Sequence, residues 1–399
     1  MITQVHIKNF KAIRDASVDL TPIHLLIGPN DSGKTSVLEA IAAICRSVDQ
    51  NATKCFLGRW QGRELVNNIA LEASLEVKAQ LAAGEDKISY SVVSEFSETG
   101  RNALWTSAIA HYNLNEYNVA LDDRVATGDT AGWTLPAFVQ SHPSGLAKAK
   151  TLPEWHIARL IFDSIESCWY LRWSARNLAL PTALNPDRRF RIEGNGFGLP
   201  TLIDDLLNYD RENFFALERE FVQIFPHVRT IALVQQKGFS SPVDQADETL
   251  ALKPSAGKQI VFRLKNTDRD LPASQAAEGM LYILGYLALM YLPKPPRVLL
   301  IEEPENGIHP NRVGDIVRIL RRLVERHPET QIVMTSHSPY LVDAFQPNEV
   351  TWCRRNESGD VVLTRLDTLP EVERAMSIFS LGEIWTNELE PMPIIEDAK

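Results

Sequence analysis

Gly28-Pro29-Asn30-Asp31-Ser32-Gly33-Lys34-Thr35 is the stretch on which the reading of the fold turns. It has the form G-x-x-x-x-G-K-[ST] of a phosphate-binding loop. Ile23-His24-Leu25-Leu26-Ile27 precedes it, short and apolar as a buried parallel strand is. Behind it Val37, Leu38, Ile41, Ala42 and Cys45 recur at helical spacing. Strand, loop and helix in that order are the setting the motif requires. The glycines let the backbone curl until successive N–H groups converge on one anion. The helix N-terminus adds a partial positive charge at the same place. Asn30, Asp31, Ser32, Gly33 and Ser36 are thus expected around the phosphates of a nucleoside triphosphate, with Lys34 on the outer ones and the Thr35 hydroxyl on Mg²⁺. The bland alternative is a chance glycine turn ahead of a helix.

Composition bounds the rest. A chain of 399 residues has room for two or three domains. With 44% apolar and 23% charged residues it has the make-up of a soluble globular protein. A net charge of −10 counts against a general nucleic-acid coat and leaves room for a local basic patch. Cys45, Cys55, Cys168 and Cys353 are scattered and form no C-x-x-C pair, which argues against a zinc site and suits a reducing, cytoplasmic location. Met1-Ile2-Thr3-Gln4 opens directly on a strand pattern, with no secretory signal expected. The longest apolar run, 280–292, is too short to span a bilayer and stops at Pro293, so it reads as a buried helix. No membrane partner is expected.

Val5, Ile7 and Phe10, then Val18 and Leu20, predict two antiparallel strands leading to the loop. Lys11 and Arg14 fall in the turn between them, which reads as solvated, with nucleotide contact as the alternative. Residues 69–77 and 87–95 alternate as strands do, and Gly84-Glu85-Asp86 suggests a hairpin. Residues 126–150 are rich in turn signals, and 154–167 are periodic as a helix. Cys168-Trp169-Tyr170-Leu171 is strand-like and is followed by Arg172 and Arg176. Arg188, Arg189 and Arg191 form the densest basic cluster, and Gly194 to Gly198 reads as a flexible loop. Two short helices are expected over 199–225 and strands over 229–234 and 259–264, with a polar, partly mobile 235–258 between them.

A second acidic landmark lies far downstream. Arg297-Val298-Leu299-Leu300-Ile301-Glu302-Glu303-Pro304 reads as a buried strand ending in two carboxylates. At the carboxyl end of a parallel strand they are expected to face the phosphate loop. Glu302 suits the Mg²⁺ shell and Glu303 a general base that polarises the attacking water. Glu305-Asn306-Gly307-Ile308-His309-Pro310 then leads into a helix with Arg318, Arg321, Arg322 and Arg326 on its polar face. A solvated face is the plain reading of those arginines, and a nucleic-acid contact is the alternative. Gln331-Ile332-Val333-Met334-Thr335 is another core strand, and His337 at its tip is a candidate contact for a γ-phosphate.

Phosphate loop, two-carboxylate strand, Glu-Asn-Gly-Ile-His-Pro turn and Thr335-Ser336-His337-Ser338, in that order, resemble the heads of ABC-type ATPases, most closely the SMC/RecF/OLD-like group. The opening Val5-His6-Ile7-Lys8-Asn9-Phe10-Lys11-Ala12-Ile13 also looks like that group's first strand. The resemblance implies an α/β P-loop NTPase of ABC-ATPase type, with a mixed and parallel core sheet, flanking helices and an inserted, mainly helical lid. The head is expected in two pieces, 1–50 and 230–399, around an insertion at 51–229. It implies that Lys34 and Thr35 hold phosphate and Mg²⁺, Glu302 supports the metal through water, Glu303 activates water, and His337 senses the γ-phosphate. It also implies a homodimer, or higher oligomer, in which two heads sandwich two ATP molecules and a signature loop from one caps the nucleotide of the other. Ser274-Gln275-Ala276-Ala277-Glu278-Gly279 matches that signature, with Ala277 where the family usually has Ser; Ser274 or the backbone at Gly279 is the expected substitute. No clear Q-loop glutamine appears; Gln61, Gln80 and Gln140 are the candidates.

The leading expectation is a slow ATP hydrolase whose ATP-joined heads switch a partner. The tail after His337 shows none of the acidic clusters of a TOPRIM nuclease, so a separate effector, nuclease or toxin, is expected, in a bacterial anti-phage role that the resemblance suggests. The alternative is a RecF-like, DNA-binding repair or maintenance ATPase resting on the arginine clusters. A membrane-transporter ATPase ranks third because of the altered signature. A small-molecule kinase gives the Glu-Glu and Thr-Ser-His-Ser strands no role.

Overall fold

The computed structural model describes residues 1–48, 55–56, 62–68, 74–84, 86–96, 103–112, 125–126, 153–184, 189–240 and 253–389. Up to residue 126 the elements are β1 (Ile2–Phe10), β2 (Ile13–Asp19), β3 (Ile23–Ile27), α1 (Lys34–Arg46), β4 (Ser74–Ala83), β5 (Asp86–Phe96), β6 (Ala103–Tyr112) and β7 (Val125–Ala126). Then come α2 (Pro153–Ile165), β8 (Cys168–Leu171), α3 (Ala175–Ala179), β9 (Thr182–Ala183), α4 (Leu199–Tyr209), α5 (Arg211–Ile224), β10 (Val228–Ser240), β11 (Lys253–Leu264) and β12 (Asp270–Pro272). The last stretch holds α6 (Glu278–Met290), β13 (Val298–Glu302), α7 (Pro310–Arg326), β14 (Gln331–Ser336), α8 (Pro339–Val342), β15 (Val350–Arg355), β16 (Val361–Arg365), α9 (Pro370–Ala375) and α10 (Leu381–Ile384). The chain divides into two compact units, 1–166 with 333–399, and 167–332.

In the first unit β2, β1, β4, β5, β6 and β7 lie side by side in one sheet. β1 pairs antiparallel with β2 on one edge and β4 on the other, so the strands after residue 73 extend the sheet that the N-terminus begins. The predicted hairpin is present as β4–β5, with Ala83 opposite Asp86. A second sheet carries the phosphate loop. There β3 lies beside β15 in parallel register, Leu25 opposite Val350, and β16 closes the edge antiparallel to β15. β14, whose residues 333–336 belong to this unit, is the other neighbour of β3. All five residues of β3 are buried, His24 among them, which is why the sequence shows a mostly apolar run and no alternation.

The turn after β1 departs from its solvated reading. The Lys11 ammonium pairs with Glu39 of α1 at 2.5 Å, and both side chains are at most 16% exposed. The pair ties the turn to the helix behind the phosphate loop. Arg14 is more exposed and faces Asp360 at 3.7 Å.

In the second unit β13 runs parallel to β8, Leu300 opposite Tyr170. Every residue of α6 from Met280 to Met290 is buried, as the apolar run implies. Gly285 lets it pack: a Cβ there would lie 2.7 Å from the Trp173 ring. The two helices expected over 199–225 are α4 and α5. Of the polar, partly mobile stretch expected at 235–258, residues 235–240 and 253–258 lie in strands, and the residues between them lie outside the described residues. β10 and β11 form one antiparallel ladder from Thr230–Arg263 out to Ser240–Lys253. Gly238 and Gly257 press against Thr182 of β9, where a Cβ would come within 2.6 and 2.3 Å of backbone. The Gly194 to Gly198 loop is likewise held. Arg172 and Ser174 donate backbone bonds to Gly194 and Asn195 at 2.7 and 3.2 Å, and a Cβ on Gly194 would meet the Tyr170 carbonyl at 2.5 Å.

Candidate nucleotide site

The phosphate-binding half belongs to the first unit. Gly28 leaves β3 with φ +144°, and a Cβ on it would lie 2.1 Å from the Cys353 carbonyl and 2.9 Å from Ser32 Oγ. Only glycine lets the loop pass β15 that closely. Asp31 has φ 66° and Gly33 φ 92°, so the loop reverses twice before α1 begins at Lys34. No side chain caps α1, the arrangement that lets a helix start receive an anion. The Lys34 ammonium, 7% exposed, donates to the carbonyls of Gly28 and Pro29, both at 2.7 Å. Ser32 Oγ is buried and has no hydrogen-bond partner. An orphaned hydroxyl costs about 1–3 kcal/mol, and a phosphate oxygen is the acceptor its surroundings lack. The residues present therefore fit a bound phosphate group. Asn30, Asp31 and Thr35 are exposed at the loop's rim, and Ser36 is buried in the first turn.

Two features beside the loop went unread in the sequence. Arg355, at the end of β15, donates to the Asp31 carbonyl at 2.9 Å, to the Asp31 carboxylate at 3.2 Å and to the Gly359 carbonyl at 2.6 Å. It pins the left-handed residue of the loop from a hairpin more than 300 positions away, and no local pattern announces it. Burial pushes the Cys353 thiol up to about 12 against the opposing pull of Lys34, so it stays protonated beside the ammonium. His337 follows the buried end of β14 and is exposed; the Ser338 N–H bonds Ser336 Oγ at 2.9 Å in the same turn.

The acidic half belongs to the second unit. Glu302 is the last residue of β13, with its side chain 9% exposed. The Tyr170 hydroxyl donates to its Oε1, and Arg172 Nε lies 3.2 Å from its Oε2. Glu303 follows with φ 47°. A left-handed backbone at a non-glycine residue costs on the order of 1–3 kcal/mol and persists only where its surroundings impose it. Asn306 does so here, its Nδ2 donating to Glu303 Oε2 at 2.6 Å and its N–H to the Glu303 carbonyl at 3.0 Å. His309 caps α7 by accepting from the Asn311 N–H, with Pro310 in the first turn.

The signature stretch opens α6. Ser274 is exposed in a single 3₁₀ turn, and Ala277 stands at the N-cap with no side-chain bond. A Cβ on Gly279 would meet nothing within 4 Å, so this chain's own packing does not require glycine there. Gly307 is different: a Cβ would lie 2.7 Å from Glu278 Oε2, so the turn after the acidic pair rests against the start of α6.

Sequence reasoning missed Tyr170 and Arg172, although a phenol and a guanidinium closing a strand were a usable signal. Of the glutamine candidates, Gln80 lies in β4 opposite Gln4 of β1. Gln61 and Gln140 lie outside the described residues, as does Arg188. Arg189 stacks over the Tyr209 ring at 4.2 Å.

Strand, phosphate loop and helix, with an acidic strand end downstream, define a P-loop NTPase of ABC type. The family model described as "AAA domain, putative AbiEii toxin, Type IV TA system" matches residues 142–343, just over half of the chain, and one described as "AAA ATPase domain" matches residues 1–105. The chain belongs to this AAA ATPase family. It is 22% identical over 395 residues to an OLD nuclease of Thermus scotoductus, covering 96% of this chain and 68% of that protein. Among solved structures it is similar to an SMC head bound to the C-terminal winged-helix domain of ScpA, with a TM-score of 0.54, 14% identity, and coverage of 92% of this chain and 99% of the other. An SMC head from Pyrococcus furiosus matches at a TM-score of 0.47 and 13% identity, covering 94% of this chain and 98% of that one. Among the described residues no helix is long and apolar enough to cross a membrane.

Proposed function

We propose that the chain is a slow ATP hydrolase that joins two copies around ATP and thereby switches a separate effector protein. The observation that carries the nucleotide part is the buried Lys34 ammonium beside the orphaned Ser32 hydroxyl at an uncapped helix start. In this reading Lys34, Ser32 and the backbone of Gly33 bind the phosphates, Thr35 and Glu302 are the metal-side groups, and Glu303 accepts a proton from the attacking water. Mg²⁺, when bound, neutralises charge on the phosphates. His337 is the proposed γ-phosphate contact. The pairing of heads is supported by Gly279, a poor helix former in the first turn of α6 that nothing within 4 Å among the described residues requires. Close approach by another molecule would require it, and Ser274 and Ala277 are exposed on the same stretch.

The effector is proposed as a nuclease or toxin, because the family model's description names a toxin system and the Thermus relative is a nuclease. A role in defence against phage, in the cytoplasm, is proposed on the same footing. The test of gating is the mass of Glu303→Gln in ATP and Mg²⁺. It should run as a dimer or larger and return to monomer in ADP, while wild-type turnover should rise with protein concentration. A variant that stays monomeric in ATP rejects the gating.

A DNA-binding ATPase is the second reading, and one observation favours it. A cleft of about 500 Å³ between α5 and α7 is lined by Arg219, Arg312, Arg318 and Arg322. Its charge is partly cancelled, since Arg322 bonds Glu220 and both Arg312 and Arg318 bond Asp315. DNA that binds with a steep salt dependence and stimulates hydrolysis would favour this reading over effector switching; no binding at low salt removes it.

A further inference from the structure

Tyr170 and Arg172 are two residues apart, so on an extended strand they share a face, while Leu171 and Trp173 between and beyond them are buried on the other. Both reach the same carboxylate. The Tyr170 hydroxyl donates to Glu302 Oε1, and Arg172 Nε lies 3.2 Å from Glu302 Oε2. Their backbone is fixed from behind. Arg172 N–H donates to the Gly194 carbonyl at 2.7 Å, and Gly194 lies so close to the Tyr170 carbonyl that a Cβ would reach within 2.5 Å of it. The parallel register with β13 sets Tyr170 opposite Leu300, two residues short of Glu302.

The two partners differ in kind. Tyr170 is part-buried on a rigid ring, and its bond is to a carboxylate only 9% exposed, where a lost partner is expensive. Arg172 is 78% exposed on a long flexible side chain, where an ion pair is weak and screened by salt. A carboxylate with one oxygen firmly held and the other loosely paired presents the loose oxygen to a cation.

We propose that Tyr170 is the positioning residue for Glu302 and that Arg172 competes with Mg²⁺ for Glu302 Oε2. The inference rests on the reading of Glu302 as a metal-side carboxylate. It assigns the metal-side support of Glu302 to a phenol and a guanidinium at the end of β8. The assignment has a signature that a merely structural role lacks, because the two side chains should move Mg²⁺ affinity in opposite directions.

The experiment is the binding of a fluorescent, non-hydrolysable ATP analogue to the full chain, titrated with Mg²⁺. Tyr170→Phe, which keeps the ring, should raise the half-saturating Mg²⁺ about tenfold, the usual effect of losing a group that orients a metal-side residue. Arg172→Gln should lower it about two- to fivefold, the strength of an exposed ion pair. Arg172→Lys should return it towards wild type. If Tyr170→Phe fails to fold, the two Arg172 variants still decide: a half-saturation that is unchanged or raised in Arg172→Gln overturns the proposal. Failure of the underlying reading looks different. If wild type does not bind the analogue, or Lys34→Ala binds it equally well, the nucleotide site itself is wrong. If Lys34→Ala abolishes binding while the Tyr170 and Arg172 variants keep the wild-type Mg²⁺ requirement, only the present inference falls.

Discussion

Glu303 sits at φ 47° without the freedom of glycine, and Asn306 is what holds it. If Glu303 is the general base, Asn306→Ala should lower kcat about tenfold and leave KM for ATP near wild type, since it removes a bond that orients the carboxylate. A KM change of the same size with kcat intact would give Asn306 a binding role instead. Gly28→Ala is the harsher change. A methyl group 2.1 Å from the Cys353 carbonyl cannot be relieved by a rotamer, so either the loop or β15 must move. We expect at least about 3 kcal/mol of destabilisation and loss of ATP-analogue binding, read by denaturant melts and titration. At this scale the sequence was legible where chemistry is local: loop, acidic pair and exposed histidine all announce themselves within eight residues. Arg355 was not, because it acts on a group more than 100 positions away, and Tyr170 and Arg172 offered only the weak signal of a phenol and a guanidinium closing a strand, with their carboxylate partner as far away.

Among elements, β3 shows what a buried strand does to a titratable group. His24 is fully buried between Thr21 and Thr351, with ring nitrogens 3.1 and 3.0 Å from their hydroxyls. Burial, helped by Arg365, lowers its pKa from 6.5 to about 4. The unfolded chain therefore takes a proton near pH 6.5 that the folded chain refuses until about pH 4. Stability carried by neutral His24 is intact above pH 6.5 and is lost as pH falls towards 4, by about 3 kcal/mol in all. Urea melts should show wild type losing that much relative to His24→Gln between pH 7 and pH 4; equal losses would mean the imidazole is not held neutral. The same strand explains what could be read in advance. β3, buried along its whole length, and β13, buried up to Glu302, are short runs dominated by aliphatic residues, and they read as interior strands. The outer half of the β10–β11 ladder is polar on much of its length and gives no alternation, yet its backbone bonds and the close approach of Gly238 and Gly257 to Thr182 hold it in register.

For the whole molecule, the net charge of −10 says little about any one face, as the arginines lining the α5–α7 cleft make plain. The proposed assembly would tie the remaining parts to function, and Ala277 is the residue through which it can be tested. Ala277 is exposed at the N-cap of α6 and offers no hydroxyl. If the signature of one copy caps the nucleotide of another, Ala277→Ser restores a donor to the γ-phosphate. A charge-assisted hydrogen bond of about 1.5–3 kcal/mol then raises turnover roughly ten- to a hundredfold. A serine at that position would also cap the helix and stabilise it by about 1 kcal/mol, so a faster enzyme alone could reflect a better-ordered α6. Ala277→Asp separates the two effects. Aspartate caps a helix as well as serine does but sets a negative charge against phosphate, so its melting temperature should rise while its turnover and its ATP-dependent dimerisation fall. If both variants gain stability and both leave turnover at the wild-type level, the start of α6 does not meet the nucleotide of another copy, and the proposed pairing through the signature is rejected.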